Sequence, residues 1–359
     1  MNYAFTNGKI LDGSRDMQVQ TGLCILVKNG KIHDIVPDTA DLSGYTKIDL
    51  KGHYILPGLI NMHVHLAGSG KPQKKQRDNE KLVNTIMSTS LTRAIAYRMV
   101  AGFAKDELLS GVTTIRTVGG LGDFDTRLRD EIKAGSKIGP RILASNQGIS
   151  VPGGHMAGSV AVAASSIPDA LSHLKKSEQQ KVDLIKLMIT GGGLDAKEKG
   201  VPGELKMPPE MVRAVCEKAH ADGYLVAAHV ESPEGVRVAL ENGVDSIEHG
   251  AKLTDEMVKL FKERGAFLCT TISPALPYAL FDRSITNTTK RSAELTDIDS
   301  ITGSIEKGKA ADLIVTAQNP LKDLKALRNL EMVISGGRFI EHPKIKKRKQ
   351  VEAELDKFL

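Results

Sequence analysis

Residues 56–66 read LPGLINMHVHL. The run is short and apolar, opened by Pro-Gly and closed by His63-Val64-His65, which is the length of a buried strand and too short for a helix. Two residues apart on a strand, the imidazoles of His63 and His65 share one face. Two nitrogens so placed suit one divalent cation, although an HxH pair alone says little. Similar runs recur downstream at 111–118 (GVTTIRTV), 141–146 (RILASN), 182–189 (VDLIKLMI), 224–230 (YLVAAHV), 244–250 (VDSIEHG) and 267–273 (FLCTTIS). Between them lie helix-period segments. In 210–222, Met211, Val212, Val215 and Ala219 share one face. In 254–264, Thr254 is placed as N-cap with Glu256 as a capping-box-like partner. Strand–helix alternation over about 220 residues is the grammar of a parallel α/β fold. Such folds gather their active sites at the C-terminal ends of the strands.

Outside this middle the chain reads as β. YAFTNGKILDG, GLCILVKNGKIHDIV and KIDLKGHYIL are short strands divided by Asn-Gly, Asp-Gly and Lys-Gly turns. KAADLIVTA and LEMVISGGRFI repeat the pattern near the other end. The expected organisation is one small β domain built from residues 1–55 and 301–345, an α/β barrel from 56–300, and a basic helical tail from 346–359.

Composition narrows the class. Of 359 residues, 41% are hydrophobic and 26% charged, ordinary for a globular protein with a sizeable core. No apolar run approaches the roughly 18 residues that span a bilayer, so no membrane role is expected. The opening MNYAFTNGKILDG lacks a basic and then apolar leader, and Cys24, Cys216 and Cys269 are scattered in apolar contexts. Both features suggest a reducing, cytoplasmic setting. The net charge is +6, but there is no Trp and aromatics are 4%, so a nucleic-acid partner is not expected. The densest basic run, KIKKRK at 344–349, reads as a solvated tail.

Two more histidines fall at strand ends, His229 in LVAAHV and His249 in SIEHG. Four imidazoles at strand C-termini are hard to explain as packing; they suit Zn, and also Mn, Fe or Ni. Lys186 lies within DLIKLMITGGG. A buried ammonium is costly, so burial would favour the neutral amine, whereas an edge strand would let the side chain reach water. His155 follows the third strand on a Gly-rich loop and is a candidate for substrate contact, as is Glu231, two residues after His229. Arg116 and Tyr278 could also face a pocket. His33, His53, His173, His220 and His342 read as structural.

LPGLINMHVHL, GVTTIRTVGG, IKLMITGGG, AAHVES, SIEHG and GSIEKGKAADLIV together resemble the amidohydrolase superfamily, in its imidazolonepropionase-like and Xaa-Pro dipeptidase-like branch. The resemblance covers nearly the whole chain. It implies a (β/α)8 TIM-type barrel beside a small β-sandwich formed by both termini. It further implies two divalent metal ions, Zn first among them. His63 and His65 would hold the more buried ion, Lys186 would be N-carboxylated and bridge both, and His229 and His249 would hold the second. A hydroxide shared by the metals would attack the carbonyl. In deaminase branches the proton-handling Glu lies three residues after the matching His; the HxE spacing here argues against that chemistry.

The resemblance also implies an Asp at the end of an eighth strand, and neither strand nor motif is present. Asp282, Asp297 and Asp299 occupy the right region but read as loop or cap residues, so no catalytic proton shuttle is assigned. A seven-stranded open barrel would expose two strand edges. The expectation is therefore a further segment near Asn287-Thr288. The function expected is a binuclear metal-dependent hydrolase of amide or peptide C–N bonds, with a dipeptide or N-acyl amino acid as substrate. Alternatives are a deaminase or cyclic amidohydrolase, and an inactive metal-binding homologue. Met87, Ile95 and Met99 fit either core packing or a homo-oligomer contact.

Overall fold

The structure is a computed structural model that describes residues 2–68, 78–192, 203–271 and 299–347. Its first strands are β1 (Asn2–Thr6), β2 (Lys9–Ile10), β3 (Leu23–Lys28), β4 (Lys31–Pro37), β5 (Thr46–Asp49) and β6 (Tyr54–Pro57). The middle holds β7 (Leu59–Val64), β8 (Val112–Thr117), β9 (Arg141–Leu143), β10 (Gly148–Ser150), β11 (Ala161–Ala163), β12 (Ile185–Met188), β13 (Val226–Val230), β14 (Ser246–His249) and β15 (Phe267–Cys269). Last come β16 (Leu313–Thr316), β17 (Leu330–Ser335) and β18 (Arg338–Glu341). The helices are α1 (Asn79–Met87), α2 (Ser90–Leu109), α3 (Phe124–Lys133), α4 (Ile167–Gln179), α5 (Pro209–Ala221), α6 (Pro233–Glu241) and α7 (Asp255–Arg264). The described residues form two compact units, one of 2–61, 104–114 and 299–347, the other of 62–68, 78–103, 115–192 and 203–271.

The first unit carries a four-stranded sheet, β4-β3-β1-β5, and a five-stranded sheet, β18-β17-β16-β6-β2. The second of these joins strands from opposite ends of the sequence: β6 runs antiparallel to β16, with Pro57 opposite Leu313. Phe5, Ile25 and Val27 of one sheet and Ile55, Leu313 and Ile334 of the other belong to a single buried cluster. Burying each such side chain stabilises the fold by about 1.5–3 kcal/mol.

The second unit is built on a parallel sheet in the order β11-β10-β12-β13-β14-β15. All residues of β12 and β13 are buried, which is why they read as apolar runs without alternation, interrupted by Lys186 and His229. Three of the helices, α4, α6 and α7, start on side-chain caps. Ser166, Ser232 and Thr254 accept hydrogen bonds from the backbone N–H of Asp169, Gly235 and Met257. Met257, not Glu256, therefore occupies the third helical position. Helix α7 ends at Gly265 in the left-handed region, φ 65°. The faces of α4, α5, α6 and α7 meet the sheet in one cluster that includes Leu174, Val215, Leu240 and Phe261.

The fold is thus α/β on parallel strands. Each of the seven runs read as strands in the middle of the sequence contains a strand. Strands β10 and β11 have no counterpart in the sequence reading: each is three residues long, and they flank the Gly-rich loop that carries His155. Among the described residues the strands form a three-stranded sheet, β7-β8-β9, and the six-stranded one, without closing into a single barrel. The region searched for an eighth strand, including Asp282, Asn287, Thr288 and Asp297, lies outside the described residues, as does Tyr278. Asp299 is in a turn. The apolar helical stretch does not pack as core throughout: Leu91, Ile95 and Met99 of α2 are exposed. Among the described residues, no helix is long and apolar enough to cross a membrane.

Candidate metal centre

Adjacent parallel strands bring the chemistry-bearing residues into register. Met188 stands opposite His229, and Val230 opposite His249, so β12, β13 and β14 present their ends side by side. His63 is in β7 and His65 follows its last residue. The imidazoles make a chain of ring contacts, with centroids 5.0 Å apart for His63–His65, 4.8 Å for His63–His249 and 4.7 Å for His229–His249. Glu248 and His249 are neighbours on one strand and would normally point to opposite faces. Both nevertheless reach His63, because His249 has φ 68°, a left-handed conformation that turns its ring back into the cluster.

The hydrogen bonds dictate which ring nitrogens carry the proton. His63 Nδ1 lies 2.8 Å from Glu248 Oε2 and His65 Nδ1 lies 3.0 Å from Gly119 O. Burial raises the Glu248 carboxyl, but Arg116, His63 and Lys186 outweigh it and hold the group well below the usual carboxylate range. An ionised carboxylate and a carbonyl can only accept, so both Nδ1 atoms carry the proton and donate. The two Nε2 atoms, 3.2 Å apart, then face each other. Burial lowers the pKa of all four rings, to about 3 for His65 and His249. All four are neutral at ordinary pH, the form that ligates metals.

Lys186 stands in β12, between β10 and β13, and is 2% exposed. The edge-strand alternative therefore fails. Its Nζ is buried with no hydrogen-bond partner among the described residues, and burial lowers its pKa to about 8. Its charge acts on His63, His65, His229 and His249 alike.

Sequence reasoning missed Glu248. Its Oε1 accepts from Arg116 Nη2 at 2.6 Å and from Ser246 Oγ at 2.6 Å, while Oε2 takes His63. Arg116, open in the sequence, is buried, and its Nε donates to Met62 O at 2.8 Å. Cys269, read as a core residue, has Sγ within 4.8 Å of ligand atoms of His63 and Glu248; burial, and then Glu248, push its thiol up to about 12. All three cysteines are free. His155 stacks on His229, with centroids 3.9 Å apart and planes 7° from parallel. Glu231, expected among substrate contacts, groups with His229 and His249, its Oε1 3.9 Å from His229 Nε2. A Cβ at Gly192 would lie 2.8 Å from His155 and 3.0 Å from His229 Nε2, so that residue must be glycine for the rings to stack there.

The donor set fits a divalent cation. Two nitrogens bound to one tetrahedral ion at about 2.0–2.1 Å stand about 3.3 Å apart, close to the separation seen between His63 and His65. Neutral imidazoles, an orphaned buried amine and flanking carboxylates are a costly arrangement for a packed core, and one that positive charge between them would relieve.

Comparison with known proteins agrees. The sequence profile of the amidohydrolase family matches residues 54–283. An ochratoxinase of Aspergillus niger is 23% identical over 276 residues, which cover 69% of this chain and 55% of that protein. The chain thus spans little more than half the length of that relative. Among solved structures, a candidate prolidase from Bifidobacterium longum superposes with a TM-score of 0.82 at 29% identity, covering 99% of this chain and 98% of the other. A Xaa-Pro dipeptidase with methionine bound in its active site gives 0.78 at 26% identity, covering 95% and 100%.

Proposed function

The chain belongs to the amidohydrolase family, and from that premise we propose that it hydrolyses the amide or peptide C–N bond of a dipeptide or N-acyl amino acid with two divalent cations, zinc first among the candidates. Lys186 carries the reading: a lysine Nζ fully buried, without a hydrogen-bond partner among the described residues, whose charge acts on four neutral imidazoles. His63 and His65 would hold one ion and His229 and His249 the other. Lys186, as the N-carboxylated amine, would bridge them. When bound, the cations lower the pKa of water and polarise the scissile carbonyl. The chain's own groups do the remaining work. His155, stacked on His229, offers a ring edge to the substrate, and Glu231 offers a carboxylate beside the His229–His249 pair. In this reading the parallel strands belong to a (β/α)8 barrel, the two sheets of the first unit form a sandwich, and the domains run 1–55, 56–300, 301–345 and 346–359. The cytoplasmic setting and a homo-oligomer remain part of the same proposal.

The test is metal analysis of the purified chain together with a panel of dipeptides and N-acyl amino acids. The expected result is about two equivalents of metal and turnover on members of the panel, with Lys186→Ala losing both the second equivalent and at least 100-fold in rate. Bound metal with no turnover on any amide would support the inactive homologue instead.

A further inference from the structure

We propose that Glu248, clamped by Arg116 and Ser246, is a positioning residue: it fixes the ring and tautomer of His63 so that Nε2 is aimed at His65 Nε2. The inference rests on the metal-centre reading above and assigns a function to residues that bind no substrate.

The geometry is a closed circuit. Arg116 on β8 donates through Nε to Met62 O, one residue before His63, and through Nη2 to Glu248 Oε1. Glu248 on β14 accepts from the His63 ring through its other oxygen. The backbone of β7 closes the loop from Met62 to His63. Arg116 thereby holds the main chain of β7 and, through Glu248, the side chain that β7 presents. Ser246, two residues before Glu248 and so on the same face of β14, donates a third hydrogen bond to the carboxylate. Glu248 is 0% exposed and Arg116 3%. Arg116, Ser246 and His63 donate to the carboxylate and the Cys269 thiol also hydrogen-bonds to it, so it is set to orient a ligand and is poorly placed to be one. A buried charge pair of this kind is a costly way to fill a core, since well-packed apolar residues would serve as well. What apolar residues could not supply is an acceptor that forces the proton onto His63 Nδ1. Outer groups that hold a ligating histidine in this way typically contribute 10–100-fold to metal affinity.

The experiment uses the full chain, metal-free and then titrated with Zn in competition with a chromophoric chelator. Long-range 15N–1H spectra of histidine-labelled, metal-free protein report which ring nitrogen carries the proton. In the wild type His63 is expected as the Nδ1–H form. Glu248→Gln, whose amide can face the ring with either atom, is expected to populate the Nε2–H form and to weaken the first Zn equivalent 10–100-fold. Glu248→Asp keeps the charge that Arg116 needs but retracts the oxygen from His63. A plain ion-pair role for Glu248 would leave Glu248→Asp like the wild type, whereas positioning requires the same tautomer change and loss of affinity. Should Glu248→Gln fail to fold, Glu248→Asp alone decides. Wild-type Zn binding with unchanged affinity and tautomer in these variants overturns this inference and leaves the proposed function standing. A wild type that binds no Zn overturns the proposed function, and this inference with it.

Discussion

Asp125, near the start of α3, is a buried carboxyl paired with no cation among the described residues. It is 1% exposed, one oxygen has no hydrogen-bond partner among those residues, and burial pushes its pKa up to about 6 against a hydrogen bond to Thr117. Its folded pKa lies above the unfolded value, so the folded state binds the proton more tightly. The favourable contribution is complete below about pH 4 and is lost as pH rises through 6; above that, the folded protein must hold a buried charge. A difference of about two pH units corresponds to about 3 kcal/mol. For Asp125→Asn, urea denaturation at several pH values should show the stability difference, variant minus wild type, rising by about 1.4 kcal/mol from pH 5 to pH 8. A flat difference would mean that Asp125 titrates normally. Lys186 was legible as this kind of residue from its sequence alone, because a cation inside an apolar strand has few innocent explanations. Asp125 was not, because it lies among the polar residues of DFDTRLRDEIK, where nothing distinguishes a buried Asp from the exposed Asp130.

At the scale of the element, β14 shows why the site was read only in part. Alternation on a strand puts His249 and Glu248 on opposite faces, so choosing His249 as the inward residue turned Glu248 away. The left-handed backbone at His249 cancels that alternation, and no local sequence signal announces it beyond the glycine that follows. Strain of this kind costs about 1–3 kcal/mol. Asn tolerates the conformation and a β-branched residue does not. In the metal-free protein, His249→Asn should therefore stay within about 0.5 kcal/mol of the wild type by chemical denaturation, while His249→Val should cost at least about 1 kcal/mol more. Equal losses would show that the ring's packing, not the backbone, sets the stability. The seven principal strands were legible for the opposite reason: β12 and β13 are buried on both faces, and an apolar run bounded by polar residues records that directly. Three-residue strands such as β10 and β11 leave no such record.

Across the whole molecule, the four histidines come from three separate strands, so an ion held between them joins distant parts of the chain. Ligand binding to the native state alone stabilises by about 4 kcal/mol at a thousandfold excess over Kd. Stripping metal with a chelator should thus lower Tm by about 5 °C or more, with recovery on adding Zn, read by circular dichroism or calorimetry. Lys186→Ala should show a smaller drop. An unchanged Tm would count against a metal-linked fold. The organisation of the two units has a consequence for biosynthesis as well. Strand β6 finds its partner β16 only after about 250 more residues have been made, which at about 5–20 residues per second is about 13–50 s. Throughout that interval the nascent N-terminal strands present an open edge and apolar side chains such as Ile55 to solvent or to whatever chaperone waits at the ribosomal exit.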